Sequence, residues 1–427
     1  MDPSGVGAVF AAEHGHAVAT LVRVLGDIDL AEDAVAEAFA VAVARWPGEG
    51  TPPNPGGWIV TTARRRALDR WRRESTREGR EAEASRSLGA NQPGDPDVPD
   101  DPGHPGEEGD VRDDRLRLIF TCCHPALNMP ARVALTLRLL GGLSTAEIAR
   151  MFLVGEATLA QRLVRAKAKI ARARIPYRVP AGSDLPARVT GVLAVVYLIF
   201  TEGHTAGAGE QAVRDDLCAE AIRLGRLLVE LMPDEPEAIG LLALMLLTAA
   251  RRPARVLADG DLVPLAEQDR SRWDAGLIAE GHALVRRCLR HDRPGPYQLQ
   301  AAINAVHTDA ARAEETDWRQ VLALHDQLVA RDPSPVVALN RAVALAEVTG
   351  PAAALAVVEG LELPRYHLAH VVRADLLARL GRADEAGLAY DAALGLTANA
   401  AEQRLLRRRR AALGEAGARP SGGISSR

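Results

Sequence analysis

The residues best equipped to do chemistry lie between Gly141 and Arg174, in the run GGLSTAEIARMFLVGEATLAQRLVRAKAKIARAR. Thr158, Gln161, Arg162, Arg165, Lys169 and Arg172 recur at helical spacing along one stripe, and Leu159, Leu163, Ala166 and Ile170 along the opposite one. From Arg162 to Arg174 there are basic residues and no acidic ones. A helix that buries its leucines and offers guanidinium, ammonium and amide groups can grip phosphates and enter a major groove. Just upstream, Ser144 and Glu147 have capping-box spacing, Ile148, Ala149 and Phe152 supply an apolar face, and Leu153, Val154 and Gly155 make a turn. Gly155 is expected there to take a backbone conformation closed to other residues. The pattern predicts a helix-turn-helix with a cationic outer face. The competing reading is a helical hairpin whose basic face is merely solvated.

A second cationic group follows the loop PGEGTPPNPGG, in WIVTTARRRALDRWRRE. Arg64, Arg65, Arg66, Arg70, Arg72 and Arg73 outweigh Asp69 and Glu74, so a polyanion is the natural partner. Trp58, at the start of this helix, has the ring to stack on an unpaired base, although a tryptophan in that position also serves as core. Before the loop, LAEDAVAEAFAVAVARW reads as a helix with Ala31, Val35, Ala38, Phe39 and Ala42 on one side and Asp33 and Glu37 four apart on another. Asp29 is the expected cap, and by itself the acidic pair reads as a solvated face.

The third group is Cys122-Cys123-His124, with Glu202 and His204 further on. Adjacent cysteines do not match the C-x-x-C spacing of zinc sites, and no second pair follows at a suitable distance, so packed core thiols are expected and no metal. No nucleophile–base–orienter set or phosphate-binding loop accompanies Glu202, His204 or the GPYQLQ run. No enzyme, catalytic residue or cofactor is therefore expected.

The elements that hold these groups follow from composition and periodicity. The chain has 427 residues, with 4% aromatics, 25% charged residues, a net charge of −4 and few runs of β-branched residues. That composition predicts an all-α protein. The start MDPSGVGAVF lacks the pattern of a signal peptide, and no run of about eighteen apolar residues occurs, so a cytoplasmic protein with no membrane partner is expected. Four cysteines, two adjacent, do not make a disulfide framework. Residues 1–78 read as one helical module, 79–112 as a disordered acidic linker rich in Pro, Gly and Asp, and 113–178 as the module ending in the helix-turn-helix. After VPAGSDLP the chain is helix after helix over 183–415. Its last third repeats weakly: two stretches each give helix, glycine turn (Gly350, Gly381) and helix, near the tetratricopeptide period.

In this order, the acidic helix, arginine helix, linker and helix-turn-helix resemble the layout of extracytoplasmic-function sigma factors of the sigma-70 family. FTCCHPAL, YLIFTEGH, LCAEAIRL, GLLALMLL, GPYQLQAAI, LNRAVAL and RADLLARLGR resemble the subgroup with a large C-terminal tetratricopeptide-like extension. The resemblance implies a subunit that directs RNA polymerase core to promoters. It implies that Asp33 and Glu37 meet the β′ clamp helices, and that the second module meets the β flap. Trp58, Arg64, Arg65, Arg70 and Arg73 become −10 contacts, and Thr158, Gln161, Arg162, Arg165 and Lys169 become −35 readers. It further implies a regulatory protein on the repeat surface. One departure is Gly155, where the family turn carries proline. The alternative is a free-standing helix-turn-helix regulator with a repeat sensor domain, which leaves the acidic and arginine helices unexplained.

Overall fold

The computed structural model describes residues 3–69, 108–151, 154–204, 208–209, 215–257 and 259–417, and these are almost entirely helical. They form two units, Met1–Val195 and Val196–Arg427.

In the first unit, α1 (Pro3–Leu25) and α2 (Ile28–Glu49) make an antiparallel pair separated by Gly26, whose φ of 71° reverses the chain. The cap of α2 is Asp27, whose carboxylate accepts from the Leu30 amide at 2.9 Å, and not Asp29, which falls inside the first turn. Ala31, Val35, Ala38, Phe39 and Ala42 are all buried, as their spacing predicts. Helix α2 runs three residues past Trp46, so the loop is shorter than its Pro and Gly content suggests. Asn54 then caps α3, described over residues 55–69, by accepting from Gly57. Residues 79–107 of the expected linker lie outside the described residues, and 108–112 open α4 (Glu108–Cys122). Next come α5 (Met129–Leu135), a π-helical turn (Thr136–Leu140), α6 (Thr145–Met151) and α7 (Glu156–Arg172).

Helix α8 (Leu185–His204) crosses from the first unit to the second. It is long and apolar enough by length and composition alone to cross a membrane, although it carries Arg188 and Glu202. Val192, Leu193, Val195, Val196, Ile199 and Phe200 are nevertheless buried against protein, as in a core helix. Its first turns belong to the first unit: the Arg188 guanidinium donates to the Phe120 carbonyl at 2.6 Å.

The second unit continues with α9 (Asp215–Leu231), α10 (Pro236–Ala249), the short α11 (Arg252–Arg255), α12 (Ala275–Leu289), α13 (Pro296–Asp309) and α14 (Trp318–Arg331). Helix α10 is buried on all sides from Ala238 to Ala249, which suits a sequence with no polar stripe. The repeat read from the sequence is present as α15 (Pro335–Thr349) with α16 (Pro351–Glu359), and α17 (His367–Arg379) with α18 (Ala383–Leu396). Gly350 and Gly381 turn each pair at φ 95° and 75°. Helix α19 (Ala400–Gly417) closes the unit, and residues 208–209 pair in parallel with 398–399.

Candidate nucleic-acid interface

The helix-turn-helix is held as its residue types require. Ser144 Oγ accepts from the Glu147 amide at 3.2 Å while the Glu147 carboxylate accepts from the Ser144 amide at 2.7 Å, a complete capping box. Leu159, Leu163, Ala166 and Ile170 are buried, each leucine contributing about 1.5–3 kcal/mol of apolar burial. The turn differs from expectation. Gly155 has φ −65° and ψ 141°, an extended conformation open to any residue and close to the φ that proline fixes. Among the described residues, a Cβ there would meet Thr158 Oγ1 at 3.7 Å, an ordinary van der Waals contact. Phe152 and Leu153 lie outside the described residues.

On the outer face Thr158, Gln161, Arg165 and Lys169 are exposed and Arg162 is half-buried. Arg165 Nε donates to the Gln161 carbonyl at 3.2 Å, which keeps its guanidinium against the helix. Arg162, Arg165 and Lys169 also line a groove of about 440 Å³ between α7 and the Pro125–Ala131 segment. Three cations on one concave surface suit a phosphate backbone.

On the other module, Arg64 and Arg65 are exposed on α3, whose Ile59, Ala63 and Ala67 are buried. Trp58 is half-buried and packs edge-on against Trp46 at 5.3 Å, so one side of its ring is core and part remains accessible. Arg70 and Arg73 lie outside the described residues. Asp33 and Glu37 are exposed on α2, and Glu37 meets Arg66 of α3 at 3.3 Å.

A set of ion pairs and hydrogen bonds joins the two modules. Glu32 of α2 is buried and takes an ion pair from Arg138 of the π-helical turn and another from Lys167 of α7 at 2.6 Å. Lys167 also reaches Asp29, at 2.7 Å. Burial alone would lower the pKa of Lys167, but hydrogen bonds to Asp29 and Glu32 outweigh it and hold the ammonium above the ordinary lysine value. Asp114, also buried, accepts from Arg23 at 2.7 Å and Arg117 at 2.9 Å. The Tyr177 hydroxyl donates to the Ala19 carbonyl at 2.7 Å, and burial pushes its pKa up. Gly15 of α1 lies so close to Leu140 that a Cβ would stand 2.8 Å from its carbonyl oxygen. Periodicity carried a signal for Glu32: it sits on the apolar face of α2, where a carboxylate needs a partner.

The remaining candidates are structural. Cys122 and Cys123 are buried thiols without a disulfide, and burial raises both pKa values, Cys123 to about 11. Cys123 Sγ lies 3.6 Å from Thr136 Oγ1, and His124 Nδ1 accepts from the Ala126 amide at 3.1 Å. Protonated thiols packed in this way are poor ligands and nucleophiles. In the GPYQLQ run, the Tyr297 and Gln298 amides donate to Glu237, which caps α13 from α10.

Family models match two parts of the first unit: sigma-70 region 2 over residues 9–77, and sigma-70 region 4 over 117–170. The basic outer face of α7 lies in the second match. The chain belongs to the sigma-70 family. It is a sigma factor of the extracytoplasmic-function type, carrying a C-terminal extension, and it directs RNA polymerase core to promoter DNA. Residues 188–289 of this sigma factor match a family of unknown function, DUF6596. An uncharacterized protein of Rhizobium meliloti (strain 1021) is 43% identical over 406 residues, covering 92% of each chain.

Proposed function

We propose that the two modules of the first unit divide promoter recognition and are described here in a closed form. Region 2 docks on the β′ clamp helices through Asp33 and Glu37 and meets the −10 element through Trp58, Arg64, Arg65, Arg70 and Arg73. Region 4 reads the −35 element through Thr158, Gln161, Arg162, Arg165 and Lys169 and meets the β flap. The single observation that carries the closed form is the Glu32–Lys167–Arg138 cluster, which ties the docking helix to the recognition helix.

A compact unit of 195 residues spans roughly 40 Å by the scaling of globular domains. Elements about 25 base pairs apart lie on the order of 85 Å apart at about 3.4 Å per pair of B-form duplex. The two modules therefore separate before both elements are engaged, and the cluster between α2 and α7 opens as they do. Sigma factors are non-enzymatic DNA-binding regulators, and this chain acts in that way in the cytoplasm, away from the membrane. Its helical repeats (183–415 as a domain, after modules of 1–78 and 113–178) offer a surface for a regulatory protein.

The test is run-off transcription with purified core polymerase, beside core-binding titrations of Asp33→Lys/Glu37→Lys. The expected result is promoter-specific transcripts with wild-type protein and weakened core binding by the variant at unchanged helicity. Promoter binding by the protein without core, and unchanged core affinity in the variant, would overturn the reading.

A further inference from the structure

Inside the second unit is a cavity of about 600 Å³, within the range of small-molecule sites. It is assembled from distant parts of the chain: His204 at the end of α8, Arg251 and Arg255 around α11, the 262–268 segment, and the facing sides of α17 and α19. Much of the wall is aliphatic, with Leu262, Val263, Leu368, Val371 and Leu405 among its residues. The polar groups include two arginines, Arg251 and Arg255, and one carboxylate, Glu402.

Most of those polar groups are already engaged. Arg255 donates to the His204 carbonyl at 2.6 Å. Glu402, the carboxylate on this wall, accepts from Thr397 Oγ1 at 2.6 Å and lies 3.3 Å from His367 Nε2. Gln268 donates to the Val263 carbonyl and accepts from Trp273 Nε1. His204 stacks on Phe200, and burial, reinforced by the nearby arginines, holds its pKa down to about 2, so it is neutral.

Arg251 differs from all of these. Among the described residues its guanidinium makes no hydrogen bond or ion pair, and the charges that act on it are those of Arg255 and Arg270. Burial, with those two charges adding to it, presses its pKa down to about 10, which still leaves it a cation at neutral pH. Arg251 is half-buried on this wall, and a guanidinium beside other cations with no carboxylate on it favours an anion. Arg251 thus places a cation that no carboxylate holds, among the described residues, beside a largely aliphatic wall.

We propose that this cavity binds a small monocarboxylate with an apolar body, its carboxylate on Arg251 and its hydrocarbon part against Leu262, Val371 and Leu405. The ligand bridges the early and late helices of the extension, because α11 and α19 both contribute to the wall. The one unaccompanied guanidinium suits a single carboxylate, and the aliphatic wall selects against a bare inorganic ion.

The experiment is calorimetric titration and thermal unfolding of the full chain with sodium octanoate, with octanamide and inorganic phosphate as comparison arms. Octanoate is expected to bind saturably and raise the Tm, while octanamide and phosphate bind about tenfold or more weakly. Arg251→Met should lose about tenfold to a hundredfold in octanoate affinity, the worth of a charge-assisted hydrogen bond, while the ligand-free protein keeps or gains thermal stability. Val371→Trp, which fills the cavity and leaves the arginine in place, should also abolish binding and serves where Arg251→Met fails to fold. No saturable binding of octanoate, equal binding of octanamide, preferential binding of phosphate, or octanoate binding undiminished in a folded variant would each overturn the proposal.

Discussion

Lys167→Met should loosen the closed form of the first unit without touching a proposed DNA reader. Lys167 Nζ is 2.7 Å from Asp29 and 2.6 Å from Glu32. The Asp29 side chain is 70% exposed, so that limb contributes about 0–1 kcal/mol. Glu32 is 8% exposed and Lys167 14%, so the second limb is a charge-assisted hydrogen bond largely out of water, worth about 1.5–3 kcal/mol. Arg138 stays on Glu32 in the variant, so the buried carboxylate is not left alone, and the sum is about 1.5–4 kcal/mol. At about 1.4 kcal/mol per factor of ten, the balance between closed and open forms shifts about 10- to 700-fold. Raised pH is a poor lever on the same contact. A lysine whose pKa is raised in the folded state contributes fully below its unfolded value of 10.5 and loses that contribution only above it. Small-angle scattering should show an expanded particle, and fluorescence anisotropy should show tighter binding to core polymerase, bounded by that factor. A folded variant with unchanged dimensions and unchanged core affinity would refute the reasoning.

Other outcomes follow from single positions. Gly155→Pro, at φ −65° with only an ordinary contact to Thr158 among the described residues, should raise stability by about 0.4–1 kcal/mol in urea unfolding by restricting the unfolded chain. Gly15→Ala should cost about 1–3 kcal/mol in the same assay, because the added methyl meets the Leu140 carbonyl. His307 is buried beside Trp318, and burial, with Arg251, Arg270 and His325 adding their charges, lowers its pKa to about 4. Its contribution is present above the unfolded value of 6.5 and is lost as pH falls toward 4. Thermal unfolding should therefore show a loss of about 1–2 kcal/mol between pH 7 and 5, and His307→Gln should flatten that slope.

Much of the fold was legible because its causes are local. The alternation that buries Leu159, Leu163, Ala166 and Ile170, the reciprocal bonds of Ser144 and Glu147, and the left-handed turns at Gly350 and Gly381 all operate within a few residues. The basic stripe of α7 was legible for the same reason: one face was apolar, so the other had to meet solvent or a polyanion. Even local reading had limits. The cap fell on Asp27 and not Asp29, two acidic residues a step apart that compete for one role, and Gly155 proved to sit where proline would fit.

Only the tertiary structure decided what is paired across the chain. Glu32 and Lys167 are 135 residues apart, and which helix faces meet depends on packing across α1, α2 and the π-helical turn. The same holds for Arg251, an ordinary surface-type residue in sequence that the fold turns into an unaccompanied cation in a cavity built from α8, α11, α17 and α19. Sequence periodicity fixes which side of a helix is buried. The partner it is buried against, and the charge left over when the faces close, emerge only when distant elements are brought together.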